Sequence, residues 1–145
     1  MQYWTAVKQA AIVKAINKFY SQYPGQSWKN VISIGDSDFE RLATQQGVGA
    51  YGNANQLADS KSKGFDAMCK SGVTGGHYRR VRTKTVKMLD DPLAEDLMSE
   101  LSMLNRWIAH IIELDGGFDC DLDDDNNLYQ AHRKLTGEEL KDIPE

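Results

Sequence analysis

Several things are scarce in this chain of 145 residues, and each shortage excludes something. Two cysteines, Cys69 and Cys120, are too few for the disulfide framework of a small secreted scaffold, and they favour a reducing compartment such as the cytoplasm or an organelle interior. No long apolar run is present. The most apolar helical stretch, residues 101–112, carries Arg106, so no membrane span is expected. The N-terminal Met1-Gln2-Tyr3-Trp4 lacks the basic region and apolar core of a secretory signal. Neither sign of charge dominates: 21 acidic against 17 basic residues leave −4, which argues against nucleic-acid binding through net charge. His77, His110, His132 and the cysteines show no zinc spacing. There is no internal repeat.

What is present is a patterned globular chain. Apolar residues Ala6, Ala10, Ile12, Val13, Ile16, Phe19 and Tyr20 recur at helical spacing, so residues 4–20 read as a helix, ended by the Pro24-Gly25 turn signal. The run Val31-Ile32-Ser33-Ile34 reads as a strand buried on both faces of a parallel sheet. Ser37 with Glu40 three residues later forms a capping box, which predicts a helix over 38–46. Residues 47–78 hold seven of the 12 glycines and read mostly as exposed loop, with room for a short helix between Gln56 and Met68. A second strand is expected from Arg79 to Lys87.

Asp91 and Pro92 then open a long helix, on which Leu93, Leu97, Leu101, Leu104, Ile108 and Ile111 form the strongest periodic stripe, read as the core face of a sheet-covering helix. Asp115-Gly116-Gly117 stops it. Residues 115–145 read as an acidic, mostly irregular tail, in which Thr136-Gly137-Glu138-Glu139 can cap a last short turn. A calcium loop starting at Asp121 fails on Asn126 at its sixth position and His132 at its twelfth.

This order of elements is an α/β layer grammar, with residues 1–114 as the α/β part. Two strands are too few for a doubly wound sheet, so either the sheet is unusually small or strands are missing on the N-terminal side. Gly35-Asp36-Ser37 closes the first strand, where open α/β sheets place ligands, so Asp36 is a candidate for holding Mg²⁺. The plain alternative is a turn glycine followed by a helix cap. The basic strand offers Arg80, Arg82 and Lys84 to an anion, against a preferred reading as charge protection of an exposed strand.

The stretch from Ser27 to Arg41, with Ser33-Ile34-Gly35-Asp36-Ser37 at its centre, resembles the fourth motif of haloacid-dehalogenase-like (HAD-like) proteins, and more narrowly a group of them in microbial eukaryotes. The strand Arg82-Thr83-Lys84-Thr85-Val86-Lys87 and the helix from Pro92 to Leu101 follow in the same order, and Val7-Lys8-Gln9-Ala10-Ala11-Ile12 looks like a degraded upstream segment. The resemblance spans about residues 4–104 and implies a partial Rossmann-like parallel sheet with flanking helices. It also implies that Asp36 and Glu40 are candidate Mg²⁺ residues and Lys8 the charge-balancing lysine.

The family's first motif, D-x-D-x-T/V, which carries the nucleophilic aspartate, has no counterpart in this chain. The expected function is therefore that of a catalytically incomplete structural or interaction subunit packed against other chains, self-associated or poorly folded alone. The alternatives are part of a Mg²⁺-dependent phosphohydrolase and an anion-binding module on strand 79–87.

Overall fold

The structure, a computed structural model, describes residues 2–23, 28–58 and 80–139. Among them are helices α1 (Gln2–Ser21), α2 (Asp38–Ala58), α3 (Ala94–Glu113) and α4 (Asp125–Thr136), and strands β1 (Trp28–Gly35), β2 (Arg80–Lys87) and β3 (Phe118–Asp121). The three strands form one parallel sheet in the order β1-β2-β3. The coarse α/β expectation is met, with one strand more than the sequence suggested. The Pro24-Gly25 turn, His77, Cys69 and most of the glycine-rich stretch lie outside the described residues.

Side-chain alternation along β2 assigns the two faces of the sheet. Val81 packs with Ile16, Tyr20, Val48 and Tyr51 of α1 and α2. Val86 packs with Leu104, Trp107 and Ile111 of α3, Phe118 and Cys120 of β3, and Ala131 of α4. The layers are therefore α1/α2, sheet, α3/α4. The helices that follow the first two strands, α2 and α3, lie on opposite faces of the sheet.

Several expectations are corrected. Helix α2 continues to Ala58 instead of stopping at 46. Each glycine costs about 1 kcal/mol in a helix, but Gly47 sits against α1, where an added Cβ would lie 3.4 Å from Ile12 Cγ2 and 3.5 Å from the Gln9 carbonyl. The glycine lets two helices close together, and the burial of Val48 beside it offsets its propensity. The Ser37 hydroxyl accepts from the Phe39 N–H at 3.0 Å, as a cap should, but Glu40 does not complete the box because it pairs with Lys8.

At the start of α3 the N-cap is Leu93, whose N–H is bound by the Asp96 carboxylate at 3.2 Å; Asp91 lies in the preceding turn at φ 46°. Strand β1 is an edge of the described sheet, and its Val31, Ile32 and Ser33 are half-buried where burial on both faces was expected.

The largest correction concerns 115–139, which are not mostly irregular. Phe118, Cys120 and Leu122 enter the core from β3 and the turn after it. Asp124 caps α4 by accepting from the N–H groups of Asn126 and Asn127 at 3.0 and 3.3 Å. Gly137, at φ 74°, ends that helix rather than starting a new turn. With β3 in place, β2 becomes the central strand. Its cations are buried, not displayed on an exposed strand: Lys84 is 0% exposed and Lys87 4%.

Candidate functional site

Gly35, at the end of β1, leads into the first turn of α2. Lys8 of α1 and Glu40 of α2 meet beside it in an ion pair. A Cβ on Gly35 would come within 3.0 Å of Glu40 Oε2, so the glycine makes room for this carboxylate. Two of the sequence candidates are thus brought together. The third, Asp36, is exposed in the bend that follows. Mg²⁺ takes near-octahedral oxygen donors. Among the described residues no group of three His, Cys, Asp or Glu side chains is placed to hold a metal ion. Glu40 faces a lysine, and Asp36 belongs to no such group among the described residues, so this donor set does not fit Mg²⁺ and no step is drawn through one.

The basic strand resolves into internal contacts. Arg82 binds Asp115 through Nε at 2.8 Å and through Nη2. Lys84 donates to the carbonyls of Ile111 and Ile112 in the last turn of α3, where unpaired carbonyls give the helix end partial negative charge. Burial, then the charge of Arg82, pushes the Lys84 pKa down to about 8, with Asp115 opposing. Lys87 pairs with Asp123 and lies 3.7 Å from Asp121 and 3.6 Å from Asp90. Its pKa is raised by the bond to Asp123 in spite of burial. The side chain of Arg80 lies outside what is described. Arg82 and Lys84 thus project beneath α3, and neither forms part of an open anion cradle.

A second polar constellation lies on the opposite face and was missed from sequence. Arg41 of α2 grips Asp119 of β3 with two parallel bonds, Nε to Oδ1 at 2.8 Å and Nη2 to Oδ2 at 2.6 Å. Thr85 donates to the same carboxylate at 2.6 Å, and Gln45 donates to Thr85 at 3.1 Å. Burial alone would raise Asp119, but the bonds from Arg41, Thr85 and Gln45 outweigh it and hold the carboxyl below its ordinary value. Beside them is a cavity of about 250 Å³ lined by Gln45, Thr83, Thr85, Gly117, Phe118 and Asp119. The signal for this site was the alternation Phe118-Asp119-Cys120-Asp121-Leu122, a half-buried strand pattern carried by acids.

In open α/β sheets the ligand crevice forms where the strand order reverses. The order β1-β2-β3 has no reversal among the described strands. No helix among the described residues is long and apolar enough to cross a membrane. Comparison with protein families, curated proteins and solved structures finds no match to this chain.

Proposed function

We propose that this chain is a non-catalytic α/β interaction subunit. The observation that carries this reading is the exposure of large apolar side chains on helices of both outer layers. Tyr3, Trp4, Val7 and Phe19 project from α1, and Leu97, Met98 and Leu101 from α3, with Leu93 at its N-cap. Such patches mark surfaces that other chains cover. The polar groups add support, because the cations a phosphoryl-transfer site would use are bound within the fold: Lys8 by Glu40, Arg82 by Asp115 and Lys84 by helix carbonyls. The HAD-like likeness then describes a relative that keeps the strand-turn-helix of the fourth motif without the nucleophile.

The test is an assay of the purified chain with Mg²⁺ and generic phosphomonoesters. The expected result is no turnover above the blank. Mg²⁺-dependent turnover that disappears in Asp36→Asn overturns the reading and favours the second one, part of a Mg²⁺-dependent phosphohydrolase. The placement of Lys8 and Glu40 together at the mouth of β1 is the observation on that side.

A further inference from the structure

The two exposed apolar surfaces differ in charge. Helix α1 contains Lys8, Lys14 and Lys18 and no acidic residue. At 100° per residue, Tyr3, Val7, Ala10, Lys14 and Lys18 fall on one stripe, opposite the face that buries Thr5, Ile16 and Tyr20. Tyr3 on this stripe is 70% exposed. The stretch from Met88 to Asn105, around the start of α3, exposes four acids (Asp90, Asp91, Glu95 and Asp96), buries Glu100, and contains no base. Here the outward stripe runs through Ala94, Met98, Leu101 and Asn105, with Met98 72% exposed. One surface is apolar and basic, the other apolar and acidic, and they lie on opposite faces of the sheet.

We infer that the occupant of each surface is the other surface of a second copy of this chain. Laid antiparallel, α1 of one copy puts Lys14 opposite Glu95 of its neighbour and carries Lys18 past the start of α3 toward the turn that holds Asp91. Ala11 then falls opposite Met98, and Val7 opposite Leu101 and Ser102. Antiparallel docking also sets the positive N-terminus of α3 against the negative C-terminus of α1. Because the two patches differ, the contact is head-to-tail. Each copy leaves one patch of each kind open, so assembly proceeds beyond a dimer unless the rotation closes a ring.

This inference rests on the interaction reading above and fails separately from it. The experiment is light scattering and sedimentation of the full chain over a concentration series reaching about 100 μM, at low salt and at about 0.5 M salt, where screening is within about 4 Å. The expected result is a mass that climbs with concentration past the dimer at low salt and falls back at high salt.

Lys14→Glu with Lys18→Glu, and separately Asp91→Lys with Glu95→Lys, should each weaken association by about a hundredfold or more, because like charges then face each other. An equimolar mixture of the two variants should associate again. All four positions are at the surface, and a thermal melt matching wild type confirms that the variants fold. A chain that stays monomeric throughout overturns the inference while leaving a different partner for these surfaces. Association indifferent to both charge reversals, or a mixture that does not recover, also overturns it. Phosphomonoester turnover would instead overturn the reading beneath it.

Discussion

Replacing Lys84 by methionine tests the most unusual feature of the sheet, a fully buried lysine on its central strand. The substitution keeps an unbranched stem and removes the ammonium. Two effects oppose each other. The carbonyl of Ile111 loses its donor, a cost of about 1–3 kcal/mol, whereas Ile112 keeps the Asn30 amide at 3.0 Å. Against this, the wild type carries a burial penalty on the charged form, seen as a pKa lowered from 10.5 to about 8.

That difference corresponds to at most about 3 kcal/mol, and roughly half of it is expected after solvent screening around the exposed Asp115. The sign follows from proton counting. Between pH 8 and 10.5 the unfolded chain holds a proton on Lys84 that the folded chain has released, so wild-type stability rises with pH across that window. Below pH 8 both states are protonated and the penalty is fully present.

Lys84→Met should therefore lie within about 1 kcal/mol of wild type at pH 7, where the two effects nearly cancel. It should fall about 1–2 kcal/mol behind by pH 10.5, where the neutral amine still donates and the penalty has gone. Urea unfolding of both proteins at several pH values reads this directly, and the difference between them cancels the titration of groups they share. A difference that is flat with pH refutes the reasoning. So does a loss above about 3 kcal/mol at pH 7, which would mean that the charged form is strongly favoured where it sits.

Arg41→Ala should cost about 1–2 kcal/mol at pH 7, since it releases the two-pronged tie between α2 and β3 around a partly exposed carboxylate. Asp119 is held below its ordinary value of 3.8, so this stabilisation is present above that pH and is lost as pH falls through the lower folded value; melts at neutral and acidic pH should converge for the two proteins, and a constant gap would contradict the assignment. In a Cys69→Ser background, Cys120 should resist a thiol reagent at pH 8 until urea is added, because burial and then the charges of Asp119 and Asp121 push its thiol up to about 12; native labelling at the rate of a free thiol would show that β3 is not packed as described.

Local pattern was readable wherever packing and propensity agree. The spacing in α1, the β-branched run of β1 and the stripe of α3 each led to an element of the right type, close to the observed bounds for the two helices and covering half of the strand. The rest depended on partners distant in sequence. The glycines that read as a loop are tolerated in α2 because α1 lies against Gly47. The acids that read as a solvated tail belong to a strand because Arg41, Thr85 and Lys87 receive them. The basic run of β2 read as surface because its hydrogen-bonded counterions, Asp115 and Asp123, lie more than thirty residues away.

The α3 stripe was right in its period and only half right in its burial: Leu104 and Ile111 are core, while Leu93, Leu97 and Leu101 extend past what the described residues cover. For the site, Lys8 and Glu40 entered as separate candidates through the HAD-like resemblance, and their ion pair was not expected; the Arg41–Asp119 tie was invisible because one partner had been assigned to a tail.

Lys87 and Arg82 also impose an order of events on synthesis. Asp115 is 33 residues downstream of Arg82, and Asp123 is 36 downstream of Lys87. Before the C-terminal acids arrive, Arg82 lacks Asp115 and Lys87 has only Asp90 near it, at 3.6 Å, so covering these side chains would bury poorly compensated cations. Docking of α3 and β3 over β2 should therefore be coupled to the acids that neutralise its cations. A chain stopped near residue 114 would keep Asp90 but lose Asp115, Asp121 and Asp123, so the acidic end supplies most of the charge that lets the central strand be buried.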